Sequence, residues 1–143
     1  MPSVFPYVLK VHQWVYEHSG GLVGHRVLLG KPTLLLRTVG RKTGQQRTSA
    51  LTYGRDGKDY LIAASNGGAP QPPGWLANLK AQPQCEIQIV RQRVRVAARP
   101  TYPGDPEYAR RFAIMDEVLD GQYSTYQKQT TRLFAVVVLT PVN

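Results

Sequence analysis

The stretch "TLLLRTVGRKTGQQRTSALTYGRDGKDYLIAAS", Thr33 to Ser65, decides the fold. It contains three apolar or β-branched runs of strand length, "TLLLRTV", "RTSALTYG" and "KDYLIAAS", separated by glycine-bearing connectors. The connector "RDG" has the Asp-Gly signature of a hairpin turn. The other, "GRKTGQQ", is a short turn crowded with positive charge. Three successive strands without a helical crossover point to antiparallel pairing.

Working downstream, "NGGAPQPPG" reads as a loop and "PGWLANLKAQ" as a short helix with Pro73 near its first turn. "CEIQIVRQRVRVAARP" alternates polar and apolar residues through two strands or one long bent strand. "GDPEYARRFAIMDEVL" is a helix, with Asp105 expected as N-cap and Pro106 at its first position. A short helix, "YSTYQKQT", and a last strand, "RLFAVVVLT", complete the order. Upstream, Val4, Tyr7, Val8, Val11, Trp14, Val15 and His18 follow the i, i+3, i+4, i+7 rule, which predicts an amphipathic helix over about 4–19. This pattern is mainly β with flanking helices (α+β). About six mostly antiparallel strands close into a small barrel with the helices packed outside.

The chain has 143 residues, enough for a single domain over 1–143. Its hydrophobic fraction of 42% with 19% charged residues is globular rather than disordered. No apolar run reaches the roughly 18 residues of a membrane span, and the N-terminus lacks the pattern of a signal peptide. With one cysteine no internal disulfide can form, which fits the cytoplasm. Cys85 is expected half-buried at a strand edge. The net charge is +9, and 11 of the lysines and arginines lie in residues 37–100, against three acidic residues. The excess therefore surrounds "GRKTGQQ", where it serves either one anionic partner or solubility alone.

Several chemistries lack their parts. The phosphate-loop and dinucleotide-binding glycine patterns are absent, as is G-x-S-x-G. His12, His18 and His25 have no metal-ligand spacing, and no metal site is expected. Adjacent Asp116 and Glu117 point to different faces of their helix, which disfavours a paired-carboxylate site.

Two stretches remain, "GRKTGQQR" and "ASNGGAPQPPGWLANL". In the first, glycines allow close backbone approach while Arg41, Lys42 and Arg47 offer donors to phosphate or carboxylate. In the second, Ser65 ends a strand, Gly67 and Gly68 expose backbone N–H groups, and Trp75 offers a flat apolar wall. Asn78 falls three residues on, on nearly the same helical face. A planar heterocycle with an anionic tail satisfies both stretches. Glycines that only make turns, with Trp75 in the core, explain the same residues without a ligand.

"TVGRKTGQQRTSALTY" followed by "YLIAASNGGAPQPPGWLANLKAQP" resembles the deazaflavin-dependent nitroreductase family, in particular its quinone-reductase-like members. The resemblance covers roughly residues 5–140. It implies a split β-barrel of the flavin-reductase or FMN-binding kind that uses coenzyme F420. It implies that Arg41, Lys42 and Arg47 hold the phosphate and oligoglutamate tail. Ala64, Ser65, Asn66, Gly67 and Gly68 then lie along the deazaflavin, with Trp75 and Asn78 completing the pocket. Tyr123 and Tyr126 match residues on the substrate side, and with Ser65 they are the expected catalytic donors. The implied reaction passes a hydride from reduced deazaflavin to a quinone (menaquinone-like) or a nitroaromatic acceptor.

The sequence departs from that family at several positions. Asn66 stands where a basic residue is frequent, Pro72 where His or Asn often precedes the proline, and Leu76 where an aromatic often follows the tryptophan. Thr52 and Asp120 replace two tyrosines of the nitroimidazole-activating members, so that activity is not implied. FMN is the alternative cofactor, and a basic nucleic-acid-binding module the non-enzyme alternative. The latter is disfavoured because "VRQRVRV" interleaves no aromatic ring with its arginines. The N-terminal helix offers its apolar stripe either to the barrel or to the inner face of the cell membrane, where a lipid-soluble quinone resides. The sequence leaves the oligomeric state open.

Overall fold

A computed structural model describes residues 31–142. The helix expected at 4–19 and the three histidines lie outside them. Seven strands form one sheet: β1 (Thr33–Val39), β2 (Gln46–Thr52), β3 (Gly54–Asp56), β4 (Asp59–Ala63), β5 (Gln84–Ile89), β6 (Gln92–Thr101) and β7 (Val136–Pro141). Their order is β2-β1-β5-β6-β7-β4-β3, and every neighbouring pair is antiparallel. The two edge strands are consecutive in the chain, separated only by Tyr53. The run "RTSALTYG", expected as one strand, thus bends there and pairs with β1 before the bend and β4 after it. The hydrogen-bond ladder stops at Tyr53 while the chain itself joins the sheet's two edges, which gives the curled split barrel.

Among the described residues three helices flank the sheet: α1 (Gly74–Ala81), α2 (Tyr108–Val118) and α3 (Gln122–Gln127). The barrel interior collects Leu34 and Leu36 of β1, Ile62 of β4, Ile87 of β5, Val96 of β6, and Val137 and Leu139 of β7, with Trp75, Leu76 and Leu79 of α1. Alternate residues of β4 and β7 point the other way. Leu61, Ala63, Val136 and Val138 meet Met115 of α2 and Tyr123 of α3. Two-sided burial explains why "AVVVL" shows no polar alternation. The Tyr108 hydroxyl donates to Phe134 O at 2.5 Å, fastening α2 beside the start of β7.

Asp105 does not cap α2 as expected. Its carboxylate accepts from Glu107 N at 2.9 Å and from Arg99 at 3.1 Å, which closes a turn, and the helix begins at Tyr108. The side-chain bond to a backbone N–H two residues on competes with helix initiation. Cys85 is more buried than expected, at 9% exposure, and burial pushes its thiol up to about 11.

"CEIQIVRQRVRVAARP" resolves into two strands, with Ile89 opposite Gln92. Their connection carries no turn signature because its first central residue is Val90, at φ +57°. A β-branched side chain in that region is crowded against its own backbone, at about 1–2 kcal/mol. Val90→Asn is therefore expected to stabilise the protein by about 1 kcal/mol in urea denaturation. An unchanged midpoint would show that the left-handed conformation costs nothing at this turn.

Candidate functional site

The β1–β2 connector forms a closed turn. Gly40 N donates to Gln45 O at 2.7 Å and Gly44 N to Gly40 O at 2.8 Å, with Gly44 at φ +72°, a conformation that favours glycine. Arg41, Lys42 and Arg47 are exposed on this turn and its following strand. Asn78 of α1 fixes the turn from below. Its buried Oδ1 accepts from the Arg41 backbone N–H at 3.2 Å and from the Arg41 guanidinium at 2.9 Å, and its Nδ2 donates to Thr38 Oγ1 at 3.3 Å. One carboxamide thus couples β1, the basic turn and α1.

Arg41, Lys42, Arg47, Trp75 and Asn78 line a single groove of about 720 Å³, together with Thr48, Ser49 and Gly74. Among the described residues, none of its three cations has a carboxylate partner. Arg37, Arg99, Arg110 and Arg111, by contrast, all pair with acidic groups. Trp75 is packed in the barrel core and also lines the groove.

The other five expected cofactor residues form a separate turn at the end of β4. Ala64 is buried in the barrel core beside Trp75, and Ser65 is buried at 7% exposure. Asn66–Gly68 make one 3₁₀ turn, in which Asn66 (φ +48°) and Gly67 (φ +64°) are left-handed. Asn tolerates that conformation better than most side chains, and its Nδ2 braces the loop by donating to Gln71 O at 2.9 Å. Gly68, at φ +83°, lies against α3. An added Cβ would sit 3.1 Å from Tyr126 O and 2.9 Å from Gln129 Oε1. The turn and the tyrosine helix are therefore in direct contact.

Tyr123 and Tyr126 share one face of α3, as the i, i+3 spacing predicts, with ring centroids 6.5 Å apart and nearly edge-on. Their environments differ. Tyr123 is 5% exposed among Leu61, Ala63 and Val136, and burial raises its pKa further than the neighbouring Tyr126 and Asp116 do. Tyr126 is half-buried beside it. Asp116, one of the two carboxylates set aside above, accepts from Ser124 N and Ser124 Oγ and so ties α3 to α2.

Sequence reasoning missed Arg132. Its guanidinium donates to Ala64 O at 2.9 Å, to Ser65 O at 2.8 Å and to Ala69 O at 2.8 Å. No local signal marks it, since its partners lie 63 to 68 residues away. Gly74 was also missed. It lines the groove, and an added Cβ there meets nothing within 4 Å, so a side chain would enter open space at the groove wall.

A curled antiparallel sheet of this order is the split-barrel fold shared with flavin-binding and F420-dependent proteins. The family model described as F420H(2)-dependent quinone reductase matches residues 8–141. The chain is 48% identical over 133 residues to the F420H(2)-dependent quinone reductase Rv1261c of Mycobacterium tuberculosis (strain H37Rv), covering 93% of this chain and 89% of that protein. It also resembles the solved F420-H2 dependent reductase FDR-A, with TM-score 0.66 and 29% identity over 76% of this chain and 93% of the other. An FAD-binding protein from Mesorhizobium loti shares the fold alone, at TM-score 0.55 and 12% identity, covering 78% of this chain and 79% of that one. The chain belongs to the F420H(2)-dependent quinone reductase family. It is an oxidoreductase whose cofactor is coenzyme F420, which answers the alternatives of FMN and of a nucleic-acid-binding module.

The residues present fit that cofactor, since three cations with no carboxylate partner among the described residues stand on one groove and suit an anionic tail. Because Asn78 satisfies two donors of Arg41 in a buried position, Asn78→Ala is expected to cost about 1–3 kcal/mol of stability in urea denaturation. A loss below about 0.5 kcal/mol would mean that water replaces the carboxamide.

Proposed function

We propose that the protein oxidises reduced F420 with a menaquinone-like quinone as acceptor, and that nitroaromatics serve as secondary acceptors. The observation that carries this reading is the basic turn. Three cations without carboxylate partners among the described residues stand on a turn anchored by Asn78, beside the wall formed by Trp75. Bound F420H2 supplies the hydride. Arg41, Lys42 and Arg47 bind the phosphate and glutamate tail, each charge-assisted bond contributing about 1.5–3 kcal/mol. The Ala64–Gly68 turn receives the ring.

The acceptor oxygen gains negative charge as it is reduced, and a donor aimed at it lowers that barrier. Ser65, Tyr123 and Tyr126 are the candidate donors. Tyr126 is favoured over Tyr123 because it is half-buried, whereas Tyr123 is enclosed by the outer core. The Ser65 hydroxyl has no hydrogen-bond partner among the described residues. Among those residues no helix is long and apolar enough to cross a membrane. Delivery of a lipid-soluble quinone by the segment at 4–19 is a proposal supported by sequence pattern alone.

Changing both Arg41 and Lys42 to alanine is expected to weaken F420 binding at least tenfold in a fluorescence titration and to flatten its salt dependence. Unchanged affinity would remove the basic turn from the cofactor site. Tyr126→Phe is expected to lower turnover with menadione and with a nitroaromatic while leaving F420 affinity intact. A fall in affinity with turnover per bound cofactor preserved would assign the phenol to cofactor binding instead.

A further inference from the structure

We propose that Arg132 is a positioning residue for the turn that receives the deazaflavin ring. Its guanidinium, by gripping three backbone carbonyls, holds Ala64–Ala69 in the required shape. The inference rests on the reading of that turn as the ring site, and nothing in the sequence or in the family resemblance pointed to it.

The contacts form a fork. NH1 donates to Ala64 O at 2.9 Å, and NH2 to both Ser65 O and Ala69 O at 2.8 Å, with Nε reaching Ala69 O at 3.3 Å. One planar group thereby joins the start of the turn to its end. Lysine, a point donor, cannot span three carbonyls in that way. Arg132 is itself held. Its guanidinium carbon lies 5.0 Å from the centre of the Phe134 ring, and its backbone carbonyl accepts from Gln127 Nε2 at 2.7 Å. Gln127 is the last residue of α3, and its Oε1 also accepts from Phe134 N at 3.2 Å. The grip is thus anchored to the helix that carries Tyr126.

The shape held in this way has a chemical consequence. Ser65 is right-handed (φ −79°, ψ −33°), while Asn66 (φ +48°) and Gly67 (φ +64°, ψ +19°) are left-handed. A right-to-left succession gathers consecutive backbone N–H groups into an electropositive concavity. Gly68 N and Ala69 N bond back to Ser65 O and Asn66 O. The N–H groups of Ser65, Asn66 and Gly67 have no partner among the described residues. With the carbonyls of Ala64, Ser65 and Ala69 taken by Arg132, the turn is left with donors to offer an electron-rich ring edge. Without the guanidinium, Ala64 O and Ala69 O lose their partner, Ser65 O keeps only Gly68 N, and the left-handed pair loses the contacts that over-determine it.

The test uses Arg132→Lys and Arg132→Met in the full chain, with Asp56→Asn as a control that loosens the ion pairs to Arg110 and Arg111 without touching the turn. The expected result is that F420 binds at least tenfold more weakly to both Arg132 variants than to the Asp56→Asn protein. The slope of affinity against salt stays at the wild-type value, because Arg132 acts through geometry and not on the anionic tail. Amide hydrogens of residues 65–69 are expected to exchange at least tenfold faster in Arg132→Lys, without F420 present. Wild-type affinity in Arg132→Lys would overturn the proposal, as would a loss no larger than that of the control. A flattened salt slope would overturn it too, by showing direct contact with the tail. Arg132→Lys and the exchange measurement decide the matter if Arg132→Met does not fold.

A tail-less deazaflavin chromophore separates this proposal from the reading it rests on. Gly68→Ala, which crowds Tyr126 O, is expected to weaken binding of that chromophore. If it does not, the ring lies elsewhere and the reading of the turn fails. If Gly68→Ala weakens binding and Arg132→Lys does not, only the positioning role fails.

Discussion

Strands β4 and β7 pair through Tyr60–Leu139, Leu61–Val138, Ile62–Val137 and Ala63–Val136, and both faces of this pair are buried. On one face Ile62, Val137 and Leu139 fill the barrel, and on the other Leu61, Val136 and Val138 receive α2 and α3. Each such side chain removed from water contributes about 1.5–3 kcal/mol, so neither layer can shift without exposing the other. The rest of the structure follows from this two-sided constraint. It places the end of β4 next to α3, and it requires the connection from β6 to β7 to cross over the outer face.

The site inherits its geometry from that arrangement. β4 ends at Ala63, and the turn that follows meets α3 at Gly68 and the head of β7 through Arg132. The chain then runs directly into α1, whose Trp75 and Asn78 belong to the basic groove. A segment of under 20 residues, Ala64 to Ala81, therefore links the groove assigned to the anionic tail with the turn assigned to the ring. Trp75 and Ala64 belong to the same core cluster, so packing ties the two stretches together.

Among the described residues the cations differ in what they meet. Arg110 and Arg111 fasten α2 to the β3–β4 hairpin at Asp56. Their hydrogen bonds, Arg110 foremost, hold the Asp56 carboxyl down at about 2. Arg132 spends its donors on carbonyls. The cations of the β1–β2 turn differ, since Arg41 is positioned by neutral oxygens and keeps its charge uncompensated among the described residues. A net charge of +9 alone could not distinguish structural cations from those available to a ligand.

Most of the strands were legible because their signals are local. The Asp-Gly hairpin, the apolar runs of β1, β4 and β7, and the alternation of β5 and β6 depend on residues close together in the chain. The basic turn and the glycine turn were legible for the same reason. The Val90 turn was not, because a β-branched residue at positive φ is held there by the pairing around it and not by its own preference. Asp105 was misjudged as a helix cap because a sequence shows that Asp can cap but not which N–H it meets. By itself, then, the sequence determined an antiparallel barrel with a concentrated basic turn, and which residue types could serve a cofactor. Only the tertiary structure decided that Asn78 anchors that turn, that Tyr123 lies in the core while Tyr126 stands beside it, and that Arg132 grips the glycine turn. These are contacts between residues some 37 to 68 positions apart or on different layers, and only two-sided packing of the sheet brings them within hydrogen-bond range.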